Sequence, residues 1–266
     1  MISKAITLGG SEFSICGVSD DDPYFSSIRN DMENEFQILC QKFIKSDYTA
    51  LDIGANIGIK SLFLSRLLKG GRVIAFEANP VVANVLANNI RENHADNVTI
   101  KVCAIGENNG LSKFEGESAY GHLSSNESGI DVSVLTLDTA LREVGVTNFD
   151  FIKVDVEGNE FQIIRSSMDI VDKNEALVMF EFNSWCLLAF GNNNPLDFLK
   201  YITQHFSHVY TINKNGTDSS LLNRVQKGDE IHVLYQNLVH DGLVTDILAT
   251  NSAWRLVPLH LVRSSG

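Results

Sequence analysis

Five short apolar runs separated by segments of helical periodicity organise the middle of the chain. TALDIG (49–54), RVIAFE (72–77), VTIKVCAI (98–105), DFIKVDVEG (150–158) and ALVMFEF (176–182) read as buried strands. Between the first two, Leu62, Phe63, Leu67 and Leu68 mark a helix that Gly70-Gly71 ends. Between the second and third, Val81, Val82, Val85, Leu86 and Ile90 mark another, with Pro80 in its first turn. Phe161 and Ile164 lie on a helix after the fourth run. Beyond the fifth, Phe198, Leu199, Ile202 and Phe206 define a helix for which Asn194 is the N-cap. Strands separated by helices of this length pair in parallel through right-handed crossovers, so the pattern predicts a doubly wound, mostly parallel α/β sheet.

The flanks depart from this alternation. Residues 1–25 read as short strands and turns, punctuated by Gly9-Gly10, Gly17 and Asp20–Pro23, and a helix is predicted from Asn30 to about Lys45. Residues 106–137 form a β insertion between the third and fourth strands. LSKFEGE and DVSVLTL are its strands, GHLSSNESG its loop, and a short helix over 138–144 restores the pattern. Two late strands are predicted at HVYTIN (208–213) and EIHVLYQ (230–236), joined by a loop containing Gly216, and the last thirty residues show no firm pattern. The expected organisation is an N-terminal segment of strands and a helix (1–46) packing on the core, a main domain (47–240) and a C-terminal tail (241–266).

Composition narrows the class. The chain has 266 residues, 44% hydrophobic and 20% charged, which suits a packed globular protein. Its 33 acidic against 21 basic side chains leave a net charge of −12. Nucleic-acid affinity comes largely from cations that displace counterions, so nucleic acid is not an expected partner. The four cysteines stand far apart without a C-x-x-C pair, which fits reduced core cysteines rather than a zinc site or a disulfide framework. No run approaches the roughly 20 apolar residues of a membrane span, and the N-terminus lacks a signal-peptide apolar region. The expected location is cytoplasmic.

In open α/β sheets, ligands bind beyond the carboxyl ends of the strands. The residues there are Asp52 to Gly58, Glu77, Ala104, Asp155 and Glu181, and three acids ending apolar strands are not explained by packing alone. In DIGANIG, Gly54 and Gly58 bracket a tight strand-to-helix turn where side chains would obstruct backbone approach to a ligand. The dinucleotide frame G-x-G-x-x-G placed on Gly54 falls on Asn56 and Ile59, so two fingerprint glycines are missing and a pyrophosphate loop is disfavoured. Glu77, about 23 residues on, can accept hydrogen bonds from both hydroxyls of an adenosine ribose.

The ordered set LDIGANIGIKSLFLSRLLKGGRVIAFEANP, VCAIGE, TLDTAL and FIKVDVEGNE closely resembles the FkbM family of S-adenosylmethionine-dependent methyltransferases, strongly over residues 49–182 and more weakly beyond. The resemblance implies a seven-stranded, Rossmann-like class I methyltransferase sheet of order 3-2-1-4-5-7-6, with strand seven antiparallel. It implies O-methylation of a sugar, polysaccharide or other small-molecule acceptor, and S-adenosyl-L-methionine as cofactor. By that resemblance Asp52, Gly54 and Gly58, with the backbone at Ala55 and Asn56, hold the methionine end. Glu77 takes the ribose, Asn79 flanks the adenosine, and Cys103, Ala104 and Ile105 line the adenine.

Methyl transfer to an aliphatic hydroxyl benefits from a base. The candidates are Asp155 and Glu157 after the fourth strand, Glu181 at the end of the fifth, and His122 in the insertion, where a lid is expected. Asp155 shares a strand face with Lys153, so an ion pair is the competing reading. Asp155, Glu181 and Asn183 also offer oxygen ligands suited to Mg²⁺, although the resemblance carries no metal. Two other functions compete: a nicotinamide-dependent oxidoreductase on a similar fold, and a non-catalytic cofactor-binding protein.

Overall fold

The computed structural model describes residues 3–30, 32–116, 121–124, 128–214 and 220–258. Elements are numbered in chain order. A hairpin, β1 (Ser3–Leu8) and β2 (Ser11–Cys16), precedes helices α1 (Pro23–Ser27) and α2 (Asn34–Phe43). Then β3 (Thr49–Ile53), α3 (Ile59–Leu67), β4 (Arg72–Glu77), α4 (Pro80–Glu92) and β5 (Val98–Val102) alternate. The insertion holds β6 (Ala104–Ile105), β7 (Gly110–Glu115), β8 (His122–Ser124) and β9 (Ile130–Leu135). The alternation resumes with α5 (Leu137–Glu143), β10 (Phe151–Val154), α6 (Glu160–Lys173) and β11 (Leu177–Asn183). The chain closes with α7 (Ser184–Ala189), α8 (Pro195–His205), β12 (His208–Ile212), β13 (Leu222–Val225), α9 (Glu230–Val239) and β14 (Val244–Thr250).

The main sheet runs β13-β12-β14-β11-β10-β3-β4-β5. Strands β5, β4, β3, β10 and β11 pair in parallel, and β14 lies antiparallel between β11 and β12. Counted along the main sheet, this is the expected order 3-2-1-4-5-7-6 with its seventh strand antiparallel, and β13 adds an eighth strand at the edge. The fold is the α/β, doubly wound, Rossmann-like class that the alternation and the resemblance predict. Two apolar layers flank the sheet. One gathers Leu51, Ile53, Phe180, Phe182 and Phe198, and the other Ala50, Phe151, Leu62, Phe36 and Ile15.

Three local expectations are corrected. EIHVLYQ is not a strand: Glu230–Val239 is helix α9, its buried Val233 and Asn237 facing inward at helical spacing. The seventh strand instead comes from the segment read as a tail, since Val244–Thr250 inserts into the sheet with Ile247, Leu248 and Ala249 fully buried. The third run breaks after Val102. Cys103 carries the chain out of the main sheet, and Ala104-Ile105 pairs with β9 in a separate four-stranded sheet of order β6-β9-β7-β8.

The N-terminal hairpin is fixed to the core by Asn89 of α4 and by Asn93, which caps the end of that helix. Asn89 accepts from the Cys16 N–H at 2.8 Å and donates to the carbonyls of Cys16 and Ile57 at 3.0 and 2.9 Å. Asn93 repeats the pattern on Ser14, accepting at 2.9 Å and donating at 2.7 Å. Both amides supply the donor and acceptor that a neighbouring strand would offer to the edge of β2. Among the described residues no helix is long and apolar enough to cross a membrane.

Candidate active site

A cavity of about 320 Å³ opens at the carboxyl ends of β3, β4, β10 and β11. Its floor is the bend Gly54-Ala55-Asn56 together with Phe76, Glu77 and Ala78. Cys103, Ala104 and Ile105 form one side, because the break after β5 turns their backbone across the ends of the sheet. Asp155, Val156, Glu157, Asn159 and Glu181 form the other side. Tyr24, Ser27 and Glu33 of the N-terminal segment, and Phe114, Gly121 and Leu123 of the insertion, complete the wall.

Glu77 points into the bend. Its Oε2 accepts the Asn56 N–H and its Oε1 the Asn79 N–H, each at 2.8 Å. The residue is 7% exposed, and burial raises its pKa against the lowering effect of backbone hydrogen bonds from Asn79, Asn56 and Ala78. A carboxylate has about four acceptor positions, so accepting from backbone does not use up its capacity for a further hydroxyl. Asn56 holds a left-handed φ of 51°, which turns its N–H toward Glu77.

Gly54 is required for a reason different from the one expected. A Cβ there would lie 1.8 Å from the Asp155 carbonyl oxygen, so the residue is glycine because the backbone just after β10 lies against it. Gly58, at φ 99°, is the N-cap of α3 and abuts Leu86 at 2.5 Å from a notional Cβ. It serves helix entry and does not line the cavity. Asp52 is also off the wall. It is fully buried, accepting the Ser61 hydroxyl at 2.6 Å with Oδ2, while its Oδ1 has no partner. It ties β3 to α3 beneath the bend. The Asn79 side chain caps α4 by accepting the Val81 N–H at 2.9 Å, and Ala78 takes its place on the wall.

Of the proposed bases, three converge. One carboxylate oxygen each from Asp155, Glu157 and Glu181 lie within 4.8 Å of one another. Their environments differ. Asp155 sits 3.1 Å from the Lys60 ammonium and 3.5 Å from that of Lys153. Burial would raise it, but Lys153 and Lys60 outweigh burial and hold it at about 2. The ion-pair reading of Lys153 and Asp155 is thus realised, and Lys60 strengthens it. Glu181 is driven well above the carboxylate range by burial and by the Asp155 charge. Glu157 is also raised by burial, and its Oε2 accepts the Cys186 thiol at 3.1 Å. Asn183, the third oxygen considered for Mg²⁺, is occupied as the N-cap of α7. His122 stands apart, its ring stacked on Phe190 at 3.7 Å, while its neighbours Gly121 and Leu123 line the cavity.

Sequence reasoning missed Tyr24, Glu33, Lys60 and Glu160. Lys60 bridges Glu33 at 3.0 Å and Asp155 at 3.1 Å, joining the N-terminal segment to β10. Glu160 is fully buried and clamps the loop after β10, accepting the N–H groups of Val156 at 2.9 Å and Gly158 at 3.0 Å. Its pKa is raised to about 7 by burial. The spacing E-G-N-E contains a signal for that clamp, a carboxylate two residues past a glycine at the start of a helix.

Residues 52–210 match the methyltransferase FkbM domain. Over 151 residues the chain is 27% identical to the methyltransferase sdnD of Sordaria araneosa, a stretch covering 43% of this chain. That stretch spans 58% of the curated relative, little more than half its length. Methyltransferase FkbM from Methylobacillus flagellatus KT aligns over 77% of this chain and 44% of its own, at 18% identity and a TM-score of 0.47. An O-methyltransferase from Bacillus cereus in complex with SAH aligns over 87% and 82%, at 16% identity and a TM-score of 0.46. The domain match extends over more than half of the chain and contains the bend, Glu77 and the three converging carboxylates, and the chain belongs to the FkbM methyltransferase family.

Proposed function

We propose that the protein transfers a methyl group from S-adenosyl-L-methionine to a hydroxyl of a sugar, polysaccharide unit or other small molecule. The observation that carries this reading is the pairing of Glu77 with the bend. A buried carboxylate, oriented by the Asn56 and Asn79 N–H groups and with acceptor capacity left over, stands beside bare backbone in one cavity. That combination fits a ribose diol attached to a zwitterionic amino-acid tail. Backbone at Gly54–Asn56 would hold the amino-acid end, Glu77 the ribose, and Cys103–Ile105 the adenine. When bound, the cofactor supplies an electrophilic methyl on a sulfonium. The residues around it align the acceptor, exclude water and remove one proton.

The proton falls to the carboxylate group after β10 and β11. Asp155, held at about 2 between two lysines, is a weak base and serves to orient. Glu157, raised by burial, is a stronger base than Asp155 and is the group we assign to take the proton. Its left-handed φ of 55°, strained for a glutamate, turns its carboxylate into the cavity beside Glu181.

Calorimetric titration with S-adenosylhomocysteine, alongside NAD, tests the cofactor assignment. Glu77→Ala is expected to weaken S-adenosylhomocysteine binding by about 10- to 100-fold, the value of one or two hydrogen bonds to a charged group, with the melting transition preserved. Binding of NAD in preference, or unchanged affinity in the variant, overturns it. Labelled methyl transfer to a panel of neutral and charged glycosides then tests the reaction.

A further inference from the structure

The wall beyond Glu77 narrows the acceptor's chemistry, and this inference rests on the methyl-transfer reading. That wall presents Tyr24, Glu33, Lys60, Asp155, Glu157 and Glu181. Lys60 is the one cation among the described wall residues, and its ammonium is already bound to Glu33 at 3.0 Å and Asp155 at 3.1 Å. Behind it Lys153, 1% exposed, is shared between Asp155 at 3.5 Å and Asp246 at 3.0 Å. Among the described residues of the insertion Glu107, Glu115 and Asp131 are acidic, and the one lysine, Lys113, is paired with Asp131 at 3.0 Å.

An acceptor carrying a phosphate or carboxylate would enter a partly desolvated cavity beside Glu157 and Glu181 with no uncommitted ammonium on its wall. Drawing Lys60 away would strip charge from Glu33 and Asp155, and unpaired charge in such a setting is costly. Protonation of Glu181 eases the repulsion without supplying a cation. A neutral hydroxyl meets the opposite situation, because carboxylates accept its proton in a strong hydrogen bond. We infer that the acceptor half of the cavity takes an uncharged hydroxyl compound and excludes phosphate- and carboxylate-bearing ones, because the one ammonium on its described wall is committed to Glu33 and Asp155 and the groups beside it are carboxyls.

The test uses the full chain saturated with S-adenosylhomocysteine and inorganic phosphate as probe, followed by ³¹P line broadening through the millimolar range. It is paired with labelled methyl transfer to methyl hexopyranosides, the matching uronic acids and the matching 6-phosphates. The expected result is no saturable phosphate binding, and transfer to neutral glycosides at least about tenfold faster than to any anionic counterpart, equivalent to about 1.4 kcal/mol. The variant Glu33→Gln, which removes one partner of the Lys60 ammonium and leaves the base Glu157 in place, should move that ratio toward unity. Saturable phosphate binding to the unaltered protein, or comparable transfer to an anionic partner, overturns the inference. Should no glycoside be methylated, the phosphate measurement decides alone, and it does not depend on the variant folding. Failure of S-adenosylhomocysteine to bind strikes instead at the underlying methyl-transfer reading.

Discussion

Gly54 shows how a residue can be required at a site without touching what binds there. Its φ of 84° and the Asp155 carbonyl oxygen in the place of a Cβ both exclude any side chain. Gly54→Ala must push β10 away from β3 or distort the bend, and is expected to cost about 3 kcal/mol or more, read by chemical denaturation. Glu157 makes a functional prediction at the same scale. Burial raises its carboxyl above the usual glutamate range, so the base form develops later than in a free glutamate as pH increases. Turnover should therefore rise with pH through an apparent pKa above that range, and Glu157→Gln should remove this ascending limb while leaving S-adenosylhomocysteine affinity within a few-fold. An unchanged pH profile in the variant would place the base elsewhere.

At the scale of elements, α4 does two jobs with one face. Val82, Val85 and Leu86 pack inward, and Asn89, on the same stripe, is fully buried with three backbone partners. One of these partners is the Ile57 carbonyl in the loop that carries the bend, and two belong to Cys16 at the end of the hairpin. Asn89→Ala leaves those groups unsatisfied in the interior, and is expected to cost about 2–4 kcal/mol by thermal or denaturant unfolding. Because Ile57 adjoins Asn56, S-adenosylhomocysteine affinity should fall as well. Asn93→Ala, which bonds Ser14 and not the bend, should lower stability without that loss of affinity.

For the whole molecule, the decisive strand is the last. β14 lies between β11 and β12 and, among the described residues, alone joins β12 and β13 to the rest of the main sheet. Cutting the chain after Asp241 would expose the edge of β11 with its buried Phe180 and Phe182, so the shortened protein is expected to lose its cooperative thermal transition.

Read on its own, the sequence determined the parallel alternation, the bend after the first strand, Glu77 and the acidic strand ends. These are local: apolar period, glycine placement and a strand's last residue are written in consecutive positions. It did not determine that EIHVLYQ is helical or that Val244–Thr250 fills the sheet, because a short apolar run satisfies either period until its neighbours are known. Nor did it separate residues that reach the cavity from those that support it. Asp52 bonds to Ser61, Gly58 and Asn79 serve helix starts, and Lys60 links Glu33 to Asp155, itself 95 positions from Asp155 along the chain. Which carboxylate is held charged and which is pushed toward protonation depends on burial and on ammonium groups brought from distant segments. Only the packed chain sets those distances.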